Sequence, residues 1–330
     1  MKKIETTSEL MEVVNGFRLS RIILTAVELR IFDTLDGKSC SSANTASLIN
    51  ADKRATDRLM NVLAGAGLLD KQHGLFCNSA FAARHLVSSS PAFLGGLPHT
   101  ADLWRRWDTL TQVIKKGSAI DIEDNFNDRN SDWFEMFIAA MHARGVAQGK
   151  EFAGLIDLTN IKRSLDIGGG SGAFTFGLIE KRPSIKGVIF DLPSVVPITQ
   201  KYIDRYNLGS NVAIMSGDYL SDNFGQAFDL VLMFAIIHIN SPDENKLIIK
   251  KGVEALSTGG TLVIMDHLLN DDRTEPFIGA MFAINMLVGT RKGDAYTLDE
   301  IRGWMQEAGL ADIKTISPSS GNQYITGIKP

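Results

Sequence analysis

The segment Leu165-Asp-Ile-Gly-Gly-Gly-Ser-Gly-Ala-Phe174 puts four glycines into five positions, directly after an aspartate and a short apolar run. Glycines that end a buried strand and open a helix let a ligand approach the backbone and its N–H groups. Gly168, Gly170 and Ala173 satisfy the dinucleotide pattern G-x-G-x-x-A. Asp191, 21 residues beyond Gly170, ends the next apolar run and suits the ribose hydroxyls of a nucleotide cofactor. Two features separate the possible cofactors. Asp166 stands inside the strand before the glycines, where a carboxylate repels a pyrophosphate but suits the ammonium and sulfonium charges of S-adenosyl-L-methionine. Asp218, in Ser216-Gly217-Asp218 at the end of a third run, is placed to accept a hydrogen bond from an adenine amino group. The competing reading makes these aspartates helix caps, or makes the cofactor NAD.

The remaining reactive residues are few. Cys40 and Cys77 lie in different segments with no CxxC spacing, which fits structural thiols in a reducing cytoplasm. No HxH or HExxH spacing occurs, and no metal is expected. His238 follows an apolar run and by itself reads as a histidine closing a strand. His267 adjoins Asp266, and neighbours on a strand face opposite sides, so His267 is expected to point away from any site that Asp266 enters.

These residues need a scaffold. After Thr159 the chain alternates short apolar runs with amphipathic helices: SLDIG, KGVIFDL, NVAIMSGD, FDLVLMFAI, GGTLVIMDH and ADIKTIS. That alternation implies a parallel sheet covered on both faces. The end, ADIKTISPSSGNQYITGIKP, predicts a hairpin at the sheet edge. The first 90 residues read differently. Helical spacing runs in two segments from Leu10 to Leu35, followed by helices over 43–49 and 51–64, the latter with Leu59, Val62 and Leu63 as its buried stripe. The stretch LLDKQHGLFCN then reads as a two-stranded wing turning at His73-Gly74. This is the order of a winged helix-turn-helix. Its recognition-helix position balances Lys53, Arg54 and Arg58 against Asp52 and Asp57, which favours a protein partner over DNA. Residues 98–158 are helical and rich in Trp, Phe and Met around a polar loop at Asp121–Asp132.

The whole-chain properties agree. With 330 residues, 44% apolar and 22% charged, the sequence has material for two soluble domains. A net charge of −4, with no run of five or more like charges, disfavours nucleic acid. No apolar stretch predicts a membrane span, and the start, MKKIETTSELMEVV, has no h-region of a signal peptide. A cytoplasmic location is expected.

The motifs LDIGGGSGAF, FDLPSVV, SGDYL, FDLVLMFAIIH and GGTLVIMDHLL, with FAINMLVGT and YTLDEIRGWMQEAGL behind them, occur in an order and spacing that cover nearly the whole chain. The chain resembles the two-domain small-molecule O-methyltransferases, which include the caffeate and hydroxyindole enzymes and many bacterial natural-product tailoring enzymes. The resemblance implies an α/β, Rossmann-like S-adenosylmethionine-dependent methyltransferase domain with a C-terminal β-hairpin over 159–330. It implies a preceding winged-helix, mostly helical dimerisation domain over 1–97, with 98–158 as helical connector and pocket wall. A homodimer acting on a small-molecule acceptor follows. Cofactor contacts are then expected at Asp166, Gly168, Gly170, Asp191, Leu192, Gly217, Asp218 and Tyr219. The resemblance places the general base on His238 and its orienting acid on Asp266. The usual Asp-Trp after the histidine is Ile239-Asn240, a second glutamate is Ala295, and a cofactor-contacting lysine is Phe234.

For the acceptor, Phe137, Met141, Met281 and Met286 are candidates for an adaptable apolar wall. Asn285 is a candidate hydrogen-bonding group or a packed helix residue. The expected reaction is methyl transfer to a hydroxyl of a flat aromatic or polyketide-like compound. Transfer to N, S or C, a non-methylating reaction, a winged-helix regulator and a nicotinamide dehydrogenase are the alternatives.

Overall fold

The structure is a computed structural model that describes residues 3–120, 131–318 and 323–330. It divides into two compact units, one up to Arg105 and one from Arg106 onward.

The first unit opens with α1 (Thr7–Glu28), whose start is closed by reciprocal bonds between Thr6 and Glu9. Arg30, in the left-handed region at φ 54°, breaks the helix before α2 (Ile31–Thr34). Then come β1 (Cys40–Ser41), α3 (Ser42–Leu48), α4 (Lys53–Gly65), β2 (Leu69–Gln72), β3 (Leu75–Asn78), α5 (Ala80–His85) and α6 (Leu97–Trp107). Ser41 and Asp52 cap α3 and α4. The wing is a β2–β3 hairpin turning at His73 and Gly74, and β1 pairs with β3 as a third strand. The core is built from Ala26, Phe32, Met60, Leu63, Leu69 and Phe76. The expected stripe of α4 is rotated by part of a turn: Met60 is buried, Leu59 is partly buried and Val62 is exposed. Asp52 and Thr56 open the helix, so the inward stripe starts one position away from the purely apolar count. Along α1, Leu10, Val14 and Phe17 are exposed at helical spacing.

The second unit contains α7 (Leu110–Lys116) and α8 (Ser131–Leu155), followed by β4 (Arg163–Ile167), α9 (Ala173–Lys181), β5 (Lys186–Asp191), α10 (Val196–Arg205) and β6 (Val212–Ser216). After these come β7 (Phe228–Phe234), α11 (Pro242–Ala255), β8 (Leu256–Asp266), α12 (Phe277–Gly289), α13 (Leu298–Glu307), β9 (Ala311–Ile316) and β10 (Gln323–Ile328). The polar loop expected at Asp121–Asp132 falls outside the described residues up to 130; from Ser131 the chain is helical.

Seven strands form one sheet in the order β6-β5-β4-β7-β8-β10-β9. β10 is antiparallel to both β8 and β9, so the terminal hairpin is present with its last strand inserted and β9 at the edge. β4 through β8 are parallel. They are nearly continuous apolar runs because both sheet faces are covered. Strand order reverses between β4 and β7, and the crevice beyond their carboxyl ends is where an open α/β sheet receives ligands. No described helix is long and apolar enough to cross a membrane.

Candidate active site

Two turns meet at that crevice. One is the glycine turn after β4; the other is the short helical turn Ile237–Ile239 after β7. A Cβ on Gly168 would lie 2.6 Å from the Ile236 side chain, so the turns touch only because residue 168 has none.

The glycine turn is braced from three sides. Asp191 at the end of β5 accepts the Gly170 N–H at 2.7 Å and the Leu192 N–H at 2.8 Å. Thr199 on α10 donates its hydroxyl to the Gly170 carbonyl at 2.6 Å. His142 on α8 meets the Ser171 hydroxyl at 2.8 Å and the Tyr206 hydroxyl at 3.0 Å. Burial, and then Arg205, push the His142 imidazole down to about 4. The N–H groups of Gly168 and Gly172 bond to the carbonyls of Phe190 and Gly169. The expectation that this turn offers its amides to a ligand is therefore corrected at 168, 170 and 172, where neighbouring acceptors already hold them.

That accounting bears on the cofactor. A turn with three of its amides already held and with the carboxylates of Asp166 and Asp191 beside it is a poor cradle for a diphosphate. It fits a nucleoside carrying positive charge. Asp166 is buried beneath the turn and accepts the Thr175 hydroxyl at 2.8 Å. Burial raises its carboxyl to about 7, against the Thr175 hydrogen bond and with help from nearby Asp191. Burial likewise raises Asp191 to about 6, opposed by the N–H groups of Gly170 and Leu192.

Beyond β6, Asp218 is exposed and Gly217 is buried. Asp222 accepts the Asp218 N–H at 2.8 Å, and Asp218 in turn accepts the Leu220 N–H at 2.9 Å. A Cβ on Gly217 would fall 2.7 Å from the Phe190 ring. Leu192 packs in a small cluster with Phe134, Ile138 and Val195. Asp166, Asp191 and Asp218 thus stand at the carboxyl ends of three adjacent strands, β4, β5 and β6. The residues present fit S-adenosylmethionine.

His238 and Asp266 are in contact. Nδ1 of His238 lies 2.8 and 3.0 Å from the two carboxylate oxygens of Asp266. Asp266 also accepts the N–H of His267 at 2.8 Å. Burial would raise its carboxyl, but His238 and these hydrogen bonds outweigh it and hold Asp266 below its ordinary value. An ionised carboxylate only accepts, so Nδ1 carries the proton and Nε2 carries the lone pair. The His238 side chain is 14% exposed and that of Asp266 only 2%, so the ring reaches the surface of the crevice from a buried support.

His267 follows the last residue of β8, so strand alternation does not govern it, and its ring lies tilted against Phe282 of α12 with centroids 3.8 Å apart. The same Phe282 meets the His238 ring edge-on at 4.9 Å. Both histidines therefore border one side chain.

The acceptor candidates separate. Phe137 joins the Leu192 cluster on the glycine-turn side. Met141 is partly buried on α8. On α12, Met281 is exposed and Met286 is buried. The Asn285 carbonyl oxygen accepts the Trp107 indole N–H at 3.0 Å. At the two departures from the resemblance, Phe234 is buried among Phe152, Phe174 and Tyr324, and Ala295 is buried with its carbonyl accepting from Arg273. Thr175, Thr199, His142, Asp222 and Phe282 were missed by sequence reasoning. Thr199 and His142 meet their partners across 29 positions each, and only the period of their helices hints at an inward face, whereas Asp222 lies in the loop after β6, four residues from Asp218.

Comparison with known proteins agrees with this geometry. Residues 124–311 match the O-methyltransferase domain model, and residues 11–88 match the O-methyltransferase dimerisation domain. The chain is 27% identical over 327 residues to 3-hydroxy-5-methyl-1-naphthoate 3-O-methyltransferase of Streptomyces sahachiroi, covering 97% of this chain and 94% of that one. Among solved structures it resembles PigF, a methyltransferase of a Serratia species solved with S-adenosylhomocysteine, at a TM-score of 0.90 and 23% identity over 98% of this chain and 100% of that one. It also resembles human N-acetylserotonin methyltransferase in complex with S-adenosylmethionine, at a TM-score of 0.83 and 21% identity over 100% and 99% of the chains. With both family domains matched in order across its length, the chain belongs to the O-methyltransferase family and is an S-adenosylmethionine-dependent enzyme.

Proposed function

We propose that the protein methylates a hydroxyl group of a small aromatic molecule, with His238 as general base and Asp266 orienting it. The observation that carries this is the bidentate contact of His238 Nδ1 with the buried Asp266 carboxylate, which leaves Nε2 free to take a proton at the crevice.

When bound, S-adenosylmethionine supplies a methyl group already activated by its sulfonium charge. Asp166, Gly168, Gly170, Asp191, Leu192, Gly217, Asp218 and Tyr219 hold the donor, with Asp191 at the ribose and Asp218 at the adenine. The chain's task is then alignment and proton removal. Holding oxygen, methyl and sulfur in line can supply about 7–11 kcal/mol. A phenol attacks poorly until it loses its proton, and a placed base contributes roughly 10²–10⁴ in rate. His238 takes that proton at Nε2, and Asp266 stabilises the imidazolium that forms. Met141, Met281, Met286 and Phe137 form an adaptable wall for a flat acceptor, with the Asn285 amide N–H available to it.

Residues 1–97 form the dimerisation domain of a homodimer, supported by the family match and by the exposed apolar residues of α1. Residues 98–158 connect it to the transferase domain over 159–330 and wall the acceptor site.

The test is incubation with methyl-labelled S-adenosylmethionine and a panel of hydroxyaromatic and aminoaromatic acceptors, followed by identification of the methylated atom. Label on oxygen in the wild type, lost in His238→Ala, is the expected result. Label on nitrogen, or undiminished transfer in His238→Ala, overturns the assignment.

A further inference from the structure

The turn carrying His238 is gripped from the donor side of the site. Asn240, two residues beyond the histidine, is 4% exposed and replaces the tryptophan of the related motif. Its side-chain nitrogen donates to the Ile236 carbonyl at 3.0 Å and lies 3.4 Å from the Asn245 side-chain oxygen. The Ile236 carbonyl only accepts, which fixes the amide with its oxygen on the other side. That oxygen accepts the Tyr219 hydroxyl at 3.1 Å. The Asn240 backbone carbonyl accepts the Tyr296 hydroxyl. Asn245, fully buried, donates to the Ile237 carbonyl at 2.9 Å.

The two carbonyls immediately preceding His238 are therefore both held by asparagine amides, and one amide is held by Tyr219. Tyr219 follows Asp218 directly, and its own carbonyl accepts Lys251 Nζ at 2.6 Å. Burial pushes the Tyr219 phenol well above its ordinary range, so it remains a neutral donor to Asn240. Two hydrogen bonds thus lead from Tyr219 to the Ile236 carbonyl, and three, through Asn245, to the Ile237 carbonyl.

We propose that Asn240 is a positioning residue that couples occupancy of the adenine side of the site, through Tyr219, to the placement of His238. Filling the donor site restricts the Tyr219 ring. Asn240 passes that restriction to the Ile236 and Ile237 carbonyls, and the imidazole reaches its working position once the methyl donor is present. The inference rests on the reading of His238 as base and Tyr219 as adenine neighbour.

The experiment follows the His238 imidazole by NMR in the full-length chain with isotopically labelled histidine. The protein has six histidines, and the His238→Ala spectrum assigns the signal. S-adenosylhomocysteine is titrated into the wild type, Tyr219→Phe and Asn240→Leu. The expected result is a ligand-induced shift of the His238 signal and of its titration midpoint in the wild type. Tyr219→Phe should lose at least about half of that shift, while its dissociation constant for S-adenosylhomocysteine changes by less than about threefold. Its kcat should fall about tenfold with little change in acceptor KM. An equal His238 shift in the wild type and Tyr219→Phe overturns the proposal, as does a kcat loss that tracks donor affinity alone. Asn240→Leu should reproduce the loss; if that buried substitution prevents folding, Tyr219→Phe carries the test. The NMR signal needs no turnover, so failure to methylate any hydroxyl would strike the proposed reaction while the coupling is still measured.

Discussion

The imidazole of His142 holds the hydroxyl of Ser171 at 2.8 Å and so ties α8 to the glycine turn. Its other nitrogen meets Tyr206, and its ring packs on Tyr202 at 4.2 Å, so there is no room for a hydrated cation. An unfolded histidine takes up a proton near ~6.5, whereas folded His142 stays neutral down to about 4. Between those values the unfolded chain binds more protons, so this contribution is complete above about 6.5 and is lost as pH falls toward 4. Melting curves across that window should converge for the wild type and His142→Gln at low pH and separate at neutral pH. Parallel curves would contradict it.

The buried carboxyls under the donor site act in the opposite direction. Asp166 and Asp191 are raised to about 7 and about 6. Their burial favours the protonated folded form, and that contribution fades as pH rises through these values. A cationic donor needs the ionised forms. Binding of S-adenosylmethionine near pH 6.5 is therefore expected to release protons. Calorimetry in phosphate and in Tris should give different apparent enthalpies, and the thermal shift on binding should grow from pH 5.5 to 8. Identical enthalpies in the two buffers would count against an ionised Asp166 in the complex.

The dyad makes a separable prediction. His238→Ala should lower kcat by roughly 10²–10⁴ while leaving S-adenosylhomocysteine affinity nearly unchanged. Asp266→Asn should be almost as damaging. An amide nitrogen there would face the donors of His238 and His267, which frees the ring to adopt the wrong tautomer.

Gly177 tests the crossing of α8 and α9. A Cβ at this position would lie 2.5 Å from the Gly149 carbonyl carbon and oxygen, both backbone atoms. Gly177→Ala should force the helices apart and cost about 1–3 kcal/mol, lowering Tm by roughly 2–4 °C per kcal/mol. An unchanged Tm would show that the helices have slack that the structure does not contain.

The proposed homodimer gives a fifth test. Val14 and Phe17 of α1 are each more than half exposed, an unusual position for large apolar side chains in a lone domain. Val14→Glu with Phe17→Arg should shift sedimentation from dimer to monomer without unfolding the helix. A variant that stays dimeric would move the interface elsewhere.

The strands around the site were legible because parallel strands buried on both faces read as apolar runs, and the site aspartates stand where those runs stop. Asp266 came into contact with the His238 ring it was expected to orient. The bracing was not legible. Thr175 reaches Asp166 nine positions back, whereas Thr199 reaches Gly170 across 29 positions and His142 reaches Ser171 across 29. Such pairs leave no local spacing to read. The placement of His267 was not legible for a different reason: alternation holds within a strand, and β8 ends at Asp266. The amides of the glycine turn were expected to face the ligand because glycine allows it, but the neighbouring carboxylate of Asp191 took the one at Gly170 first.

The close passage of α8 over α9 also shapes how this enzyme can diverge. Gly145 and Gly149 bring one side of α8 against Ala173 and Phe174, directly after the glycine turn, so a larger side chain at either position would displace that segment. Met141 lies one helical turn before Gly145 on the same side of α8, and its neighbour His142 braces the glycine turn through Ser171. A lineage that adapts this helix to new acceptors must therefore do so while the seam against the glycine turn stays closed.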